Sequence, residues 1–231
     1  MKKLSVPAHI GIILDGNGRW AKKRNKPRLF GHKEGVNAIK RTLVAAKNLG
    51  INTVSVFAFS TENWKRPKDE VDGIFKLLED FLDKSSNSFA EKGYKLNIMG
   101  DISKFSLSLQ QKLLSLVEKT KTNTALVFNL GINYGGRAEI VRAVNLILSE
   151  GKTKTTEQEF ENYLYTASLP PLDFVIRTSG EQRISNFMLW QMAYAELYFP
   201  KFYWPSFNEK KLVKCIKEFS KRNRRFGNIK Q

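Results

Sequence analysis

The chain has 231 residues, 42% of them hydrophobic, which is enough to bury a real core and excludes a largely disordered protein. Its apolar runs, such as 10–14 and 124–130, fall well short of the roughly 20 residues that a membrane-spanning helix needs, so we expect no membrane span. The formal net charge of +17 predicts an anionic partner, either nucleic acid, anionic lipid or pyrophosphate, without choosing among them.

The N-terminus begins MKK, like the basic start of a signal peptide. Pro7, His9 and Asp15 interrupt the region that would have to be apolar, so we expect a cytoplasmic protein. Cys215 is the single cysteine, which excludes an internal disulfide. In the stretch LVKCIKEF it is most simply a small core residue.

Short runs rich in Val, Ile and Phe alternate with segments whose apolar residues follow the helical period. The predicted strands are 9–14, 53–59, 95–99, 125–130 and 173–177, with a sixth near 196–199. The predicted helices are 33–48, 69–90, 104–119, 136–149, 156–167 and 208–222. This alternation predicts an α/β fold, a mainly parallel central sheet of about six strands flanked by helices on both faces. No repeat or long linker divides residues 1–231, which we interpret as a single domain.

Polar loops follow the predicted strands, where ligands bind at the carboxyl ends of a parallel sheet. They are 15–20 (DGNGRW), 60–67 (STENWKRP), 133–137 (NYGGR) and 177–186 (RTSGEQRISN). Glycines let backbone N–H groups approach an anion, and arginine offers a fork that matches phosphate oxygens. We therefore expect one edge of the sheet to bind a phosphate-bearing ligand. Basic residues also crowd 19–28 and 221–225, and the bland interpretation of such runs is a solvated surface.

Asp15 stands alone as a carboxylate among these cations in the first loop. A lone carboxylate is a poor anion binder but suits Mg²⁺, which proteins hold with one or two carboxylates plus substrate phosphates. Taken alone, DGNG is more often an ordinary strand-to-helix turn.

Several single residues have two interpretations. His32 is either a phosphate donor or proton shuttle, or a satisfied surface residue near a helix start. Asn63 either orients a reacting group or stabilises a turn. The four tryptophans are either stacking platforms or packing residues. Glu196 lies in the apolar stretch MAYAELYFP, where a carboxylate needs a partner cation or a metal.

Six motifs follow one another along the chain: HIGIILDGNGRWA, GHKEG, FAFSTENWKRP, NYGGRAEIV, RTSGEQRISNFMLWQMAYAELYF and the closing RNRRFG. In this order they resemble the motifs of the cis-prenyltransferase family, and within it those of the bacterial undecaprenyl pyrophosphate synthases. The resemblance covers about residues 7–227. It implies a homodimeric α/β enzyme that uses Mg²⁺ to add isopentenyl pyrophosphate units to farnesyl pyrophosphate with Z geometry. The long lipid pyrophosphate that it makes is the precursor of the cell-wall carrier.

The resemblance also implies roles for individual positions. Asp15 matches the catalytic aspartate that handles the metal and the pyrophosphate, Asn63 matches the residue that assists proton removal, and Glu196 matches a metal ligand that reaches across the dimer. The allylic pyrophosphate positions are Gly16, Asn17, Gly18, Arg19, Arg28 and His32, beside Trp20. Further substrate-contacting positions are Ser60, Thr61, Glu62, Trp64 and Arg66. Those for isopentenyl pyrophosphate are Arg177, Arg183 and Ser185, with Ile184 between them.

The sequence departs from the family at one position. Well-known bacterial members have a histidine where this chain has Gln182, whose side chain offers a metal only its carbonyl oxygen. We therefore leave Gln182 out of the predicted metal site.

The family likeness also implies an apolar tunnel for the growing hydrocarbon, lined from the predicted helix 69–90. The candidates are Ile74, Leu77, Leu78, Phe81 and Leu82. By periodicity alone these residues are simply core.

Two other function classes stay open. A nucleic-acid-binding module would explain the charge and the tryptophans, but recognised nucleic-acid motifs are lacking, so we expect no nucleic-acid partner. A non-catalytic partner subunit would usually lack part of the phosphate-binding set, which this chain keeps. Peripheral membrane contact, through the basic surface or the lipid product, is a separate hypothesis.

Overall fold

Six parallel strands form the central sheet of the computed structural model, which describes residues 4–222. They are β1 (His9–Ile13), β2 (Thr53–Ser60), β3 (Tyr94–Met99), β4 (Leu126–Tyr134), β5 (Phe174–Arg177) and β6 (Glu196–Tyr198). The spatial order is β3-β4-β2-β1-β5-β6, and each neighbouring pair is parallel. The predicted fold class is confirmed.

The helices of the described region are α1 (Asn17–Lys22), α2 (Arg28–Asn48), α3 (Lys68–Lys92), α4 (Leu107–Thr120), α5 (Gly136–Ser149), α6 (Glu157–Glu161) and α7 (Glu209–Ser220). Single 3₁₀ turns follow β2 and β5, and another precedes α7. Both faces of the sheet are covered. One face of the sheet packs against α2, α3, α4 and α7. The other face packs against segment 187–192, and Trp190 of this segment contacts Phe160 of α6.

One helix was not predicted, and several predicted boundaries were wrong. The short helix α1 was not predicted, and α2 begins at Arg28 rather than at 33, directly after Pro27, which cannot continue a preceding helix. Strand β4 runs on to Tyr134, because β2 pairs with it through Ser60. Helix α6 ends early because the chain turns so that the backbone N–H of Tyr165 donates to Glu139.

A buried polar chain crosses four strands on one face of the sheet. His9 Nε2 lies 2.7 Å from Ser55 Oγ, which also accepts a hydrogen bond from Asn129 Nδ2 at 2.8 Å. Asn97 Nδ2 donates to Asn129 Oδ1 at 2.8 Å. Because a slip by one residue would move these groups to the other face, the chain fixes the register of β1, β2, β4 and β3.

Cys215 is fully buried on α7, and burial raises the pKa of its thiol to about 12. The prediction of a core cysteine is confirmed. Within residues 4–222, no helix combines the length and the apolar character that crossing a bilayer requires. Residues 223–227 of the closing RNRRFG motif lie outside the described residues, as does the initial MKK.

Candidate active site

The first loop holds Asp15 at the carboxyl end of β1. Its backbone is tied to the end of β5, because Thr178 Oγ1 lies 2.7 Å from Asp15 O and accepts from Asp15 N at 3.1 Å. Gly16 follows with φ +101, and a Cβ there would lie 2.6 Å from the ring of Tyr203. Only glycine fits this position, so the chain turns at once into α1 and leaves the Asp15 carboxylate at the sheet edge.

Three arginines and two carboxylates meet at this edge. The group Asp15, Arg19, Arg177, Glu181 and Arg183 is named the Asp15 cluster. Arg177 Nη2 donates to Asp15 Oδ2 at 2.9 Å, and Arg19 Nη2 donates to Asp15 Oδ1 at 3.1 Å. Glu181 accepts from Arg19 at 2.6 Å and from Arg183. The excess of guanidinium over carboxylate groups leaves a net positive charge that suits an anion.

Arg177 is the anchored member of this cluster. Its side chain is only 5% exposed, and Nη1 donates to Ser185 Oγ at 2.7 Å and to the carbonyl of Arg183. Its Nε is buried and has no hydrogen-bond partner in the described structure. A buried N–H without an acceptor fits a site that a ligand oxygen completes.

The arginines hold Asp15 ionised. Burial acts to raise the pKa of the Asp15 carboxyl, but the hydrogen bonds and charges of Arg177 and Arg19 outweigh it, and the pKa lies below its ordinary value. The carboxylate is therefore available as a metal ligand across the whole neutral range.

A second charged group lies where α2 and α3 begin. The Glu70 cluster comprises Glu70, Arg28, His32 and Arg66. Arg28 Nε donates to Glu70 Oε2 at 3.1 Å, while Arg28 Nη2 and Arg66 Nη1 donate to Oε1 at 3.2 Å. His32 Nε2 is also 3.2 Å from Oε1, and burial lowers the pKa of the imidazole below its ordinary value. A Cβ on Gly18 would lie 2.9 Å from Arg28 Nη1, so α1 passes against this guanidinium.

An apolar cavity of about 80 Å³ lies between α2, α3 and the sheet. Ile74, Leu77, Leu78 and Phe81 line it as predicted, whereas Leu82 is buried in the core beside it. His32 and Asn17 also line this cavity, and Asn17 Oδ1 is buried without a hydrogen-bond partner in the described region. The polar His32 therefore joins the Glu70 cluster to the apolar cavity.

The loop after β2 is a capped 3₁₀ turn. Asn63 Oδ1 accepts from Ser60 N at 3.1 Å, so the turn-stabilising role predicted as its alternative is present. Trp64 donates to Asn133 Oδ1 at 2.8 Å and packs against Phe59, with ring centroids 5.3 Å apart. These contacts engage the carbonyl oxygen of the Asn63 side chain in the turn and fix the Trp64 ring beside it.

The same loop contacts the loop after β5. Asn186 Nδ2 donates to Glu62 at 2.9 Å. Its side-chain oxygen Oδ1 and its backbone carbonyl accept from the first two N–H groups of α5. A Cβ on Gly135 would lie 2.7 Å from Thr61 Oγ1, so the second, fourth and fifth strands bring their loops together. The predicted convergence of loops at one sheet edge is present.

Three further predicted site residues, Trp20, Ile184 and Glu196, belong to neither cluster. Trp20 stacks on Phe30 and donates to Ser206 Oγ at 2.8 Å, and Ile184 packs against the smaller core. Glu196 begins β6 opposite Phe174, roughly 10 Å along the strand from Arg177. It accepts from Arg222 at 2.7 Å, which supplies the partner cation that its position predicted.

Three residues with direct contacts to these clusters were not predicted. Ser179 Oγ accepts from Arg19 at 2.7 Å, and Glu181 links two arginines of the Asp15 cluster. Glu70 lies in the predicted helix 69–90, and no site role was predicted for it. The spacing of Arg66 and Glu70, four residues apart, was the available signal.

Sequence comparison decides the family. A family model described as putative undecaprenyl diphosphate synthase matches residues 13–227. The isoprenyl transferase of Clostridium tetani is 45% identical, over 97% of this chain and 91% of that protein. The chain belongs to the undecaprenyl diphosphate synthase family. It is a prenyltransferase, and the resemblance drawn from its motifs is confirmed.

Other relatives of this prenyltransferase add detail. The ditrans,polycis-undecaprenyl-diphosphate synthase of Vibrio vulnificus, specific for (2E,6E)-farnesyl diphosphate, is 45% identical over 96% of this chain and 91% of that protein. A solved probable undecaprenyl diphosphate synthase from Campylobacter jejuni superposes with a TM-score of 0.81 at 35% identity, covering 99% of this chain and 100% of that one.

The lavandulyl diphosphate synthase of Lavandula x intermedia, solved with dimethylallyl diphosphate, gives a TM-score of 0.92 at 33% identity, over 96% of this chain and 99% of that one. Because the fold serves synthases of different products, it does not by itself assign the product of this prenyltransferase.

Proposed function

We propose that this prenyltransferase condenses isopentenyl pyrophosphate units onto farnesyl pyrophosphate with Z stereochemistry and makes undecaprenyl pyrophosphate, the precursor of the cell-wall lipid carrier. One observation carries the proposal: two cationic clusters flank α1, and an apolar cavity adjoins one of them. Arg19 of α1 belongs to the Asp15 cluster, and Gly18 lies against Arg28 of the Glu70 cluster. An anion site beside an apolar cavity suits an allylic pyrophosphate.

The proposed roles follow from this arrangement. Arg28 and His32 bind the allylic pyrophosphate, whose hydrocarbon enters the cavity, and Arg177 with Ser185 binds isopentenyl pyrophosphate. A carbon–carbon bond forms as the allylic carbon–oxygen bond breaks, pyrophosphate leaves with the bonding electrons, and one proton is lost. Fixed guanidinium groups stabilise the negative charge that grows on the leaving group. Asn63 orients the group that takes the proton.

Mg²⁺ fits the Asp15 cluster. Each carboxylate oxygen of Asp15 accepts one arginine hydrogen bond, so each keeps a further lone pair for a metal. Glu181 is a second carboxylate beside it, paired with the same Arg19. Across residues 4–222, no three His, Cys, Asp or Glu side chains are grouped to hold a metal by themselves, so substrate phosphates would supply the remaining ligands. When bound, Mg²⁺ neutralises charge on the leaving pyrophosphate. Asp15 would hold it, together with Glu196 of a second protomer.

A homodimer belongs to this proposal. Glu196 is remote from the Asp15 cluster of its own chain, so its predicted role as a ligand requires a second copy. Val141, Val144 and Leu148 also form an exposed apolar stripe along α5, which a second copy would cover.

Contact with the membrane surface also belongs to the proposal, because the product is a lipid. Residues 22–30 are exposed without interruption and combine five cations with Leu29 and Phe30. Basic and apolar side chains together favour an anionic lipid surface. We place the enzyme in the cytoplasm, where such a surface is within reach.

The direct test is to incubate the protein with radiolabelled isopentenyl pyrophosphate and farnesyl pyrophosphate, with Mg²⁺ or with a chelator, and to resolve the extracted lipids by length. We expect a metal-dependent ladder that ends at the undecaprenyl length. Asp72→Asn, which changes an exposed acid paired with Lys68, serves as the control for handling and charge.

A folded protein that makes no labelled lipid would contradict the proposal and favour the partner-subunit alternative. Salt-sensitive binding of RNA that does not depend on Asp15 would instead favour the nucleic-acid alternative.

A further inference from the structure

Glu70 is an anion held inside a group of cations. Its side chain is 11% exposed and contacts two guanidinium groups and one imidazole. It belongs to the first turn of α3, whereas Arg28 and His32 belong to α2. The carboxylate therefore joins two helices and the loop after β2.

The contact with Arg28 has the geometry of phosphate recognition. Arg28 uses Nε and Nη2 as a fork on the two carboxylate oxygens, at 3.1 and 3.2 Å. A guanidinium binds two phosphate oxygens through the same fork. Glu70 and a pyrophosphate therefore compete for the same donors of Arg28.

The arginines of this cluster are free to exchange partners. The side chain of Arg28 is 65% exposed and that of Arg66 is 34% exposed. Glu70 also pairs with His32 and Arg66, so releasing the exposed Arg28 to a ligand leaves neither the carboxylate nor the guanidinium unpaired. An entering dianion would also gain two guanidinium groups already gathered at one place.

We propose that Glu70 is a positioning residue that competes internally with the allylic pyrophosphate. It gathers Arg28, His32 and Arg66 in the free enzyme and yields the Arg28 fork when pyrophosphate binds. The inference rests on the proposed function, because that function assigns Arg28 and His32 to the allylic pyrophosphate.

Such a competitor has a use in an enzyme that must repeatedly exchange pyrophosphate groups. Binding ground state and transition state equally tightly does not raise turnover, whereas tight binding of released pyrophosphate would slow it. By retaking Arg28, Glu70 weakens ground-state binding and promotes release of pyrophosphate. A residue that merely orders the arginines would instead strengthen binding, so the two roles predict opposite signs.

Titration calorimetry with inorganic pyrophosphate on the full chain separates these roles. Glu70→Gln removes the charge and retains the size, so we expect pyrophosphate to bind about tenfold more tightly, the scale of one charge-assisted hydrogen bond. Glu70→Asp keeps the charge and should bind within about threefold of the natural protein, on the scale of a weak ion pair. Asp72→Asn makes the same charge change two residues away, where the side chain is 59% exposed, and should leave affinity unchanged.

Steady-state kinetics provide a second readout. In Glu70→Gln, KM for farnesyl pyrophosphate and kcat should fall together, because the substrate and the released pyrophosphate are both held more tightly. A structural defect would raise KM instead.

The outcomes separate the two proposals. If the natural protein makes labelled polyprenyl product but Glu70→Gln binds pyrophosphate no more tightly, only the role of Glu70 is overturned. If the natural protein makes no product and pyrophosphate binds neither protein, the proposed function fails together with this inference. Should Glu70→Gln not fold, Glu70→Asp takes its place, because its shorter side chain reaches the Arg28 fork less well. Pyrophosphate binding up to about threefold tighter than that of Asp72→Asn would support competition, and equal or looser binding would overturn it.

Discussion

The Asp15 cluster and the Glu70 cluster both set arginines against a carboxylate, but they anchor those arginines differently. Arg177 ends a buried strand, and Ser185 holds it in addition to Asp15. Arg28 starts a helix on the surface, and the cluster holds its guanidinium through Glu70. A rigid group is preorganised for charge that develops in a reaction, whereas an adjustable group suits binding and release. We therefore expect the Asp15 cluster to dominate turnover and the Glu70 cluster to set the affinity for the allylic pyrophosphate.

The largest effect is expected at Asp15. Asp15→Asn removes the carboxylate that would hold Mg²⁺ while leaving the size of the side chain unchanged. We expect kcat to fall by about 10²- to 10³-fold, the usual cost of losing one preorganised electrostatic group. Turnover of labelled isopentenyl pyrophosphate measures the loss, and thermal melting verifies the fold. Retention of more than about a tenth of the activity would mean that the Asp15 cluster does not dominate turnover.

The next largest effect is expected from Arg177→Lys, on KM for isopentenyl pyrophosphate. Lysine keeps the charge but cannot bridge Asp15 and Ser185 at once, so the anchoring of the cluster is lost. We expect KM for isopentenyl pyrophosphate to rise about 10- to 100-fold, because hydrogen bonds to charged groups contribute about 1.5–3 kcal/mol each. KM for farnesyl pyrophosphate should change far less. Equal changes in both constants would show that the two clusters bind one substrate together.

The strands β1, β2, β4 and β5 were predictable because they are almost wholly buried and their sequences are mainly apolar runs. Helix α1 was not predictable in this way, since Ala21 is its one buried residue and its sequence NGRWAK has no apolar period. Residue type alone singled out Asp15 and put Arg177 in one of the polar loops at the strand ends, whereas a specific role for Arg177 is implied only by the family resemblance.

The partners within each cluster could not be read from the sequence. Glu70 looks like any acidic residue in the first turn of a helix, where it is favourable for the helix dipole. Its contact with Arg28 exists only because α2 packs beside α3. Similarly, the remoteness of Glu196 from Arg177 follows from the register of β6 on β5, which local sequence does not specify.

A substitution in the cavity beside the Glu70 cluster is expected to change the length of the product more than the reaction rate. Ile74→Phe adds volume to a wall of a cavity of about 80 Å³. We expect shorter polyprenyl products and less than a tenfold change in the rate of the first additions, because overpacking affects the hydrocarbon and spares both charged clusters. Leu107→Phe, at a position 75% exposed on α4, is the matched control. An unchanged product length would exclude this cavity as the site of the chain.

The pH dependence of stability should also distinguish the clusters. Arginine contacts hold the pKa of Asp15 and of Glu70 below the ordinary carboxyl value, against the opposing effect of burial. Their stabilising contribution is therefore complete above the unfolded pKa of about 4 and is lost as the pH falls through the lower folded pKa. We expect Asp15→Asn to flatten the fall in unfolding free energy below pH 4 by up to about 1.4 kcal/mol per pH unit. Glu70→Gln should flatten it less, because the arginines that pair with Glu70 are more exposed than Arg177 and ion pairs to exposed groups are weaker. Denaturant melts measured from pH 7 to pH 2 test this order.

The smallest effect is expected at Arg66, where the substitution made at Arg177 is repeated in the adjustable cluster. Arg66 donates one hydrogen bond of 3.2 Å to Glu70, four residues later on the chain, and its side chain is 34% exposed. Arg66→Lys keeps the charge, so we expect stability to change by less than about 0.5 kcal/mol and kcat/KM by less than about threefold. The changes in kcat/KM caused by Arg66→Lys and by Arg177→Lys should be measured under one set of conditions. Their ratio measures how differently the two clusters are anchored. If Arg66→Lys costs as much as Arg177→Lys, then the Glu70 cluster is as rigid as the Asp15 cluster, and its part in exchanging pyrophosphate must be given up.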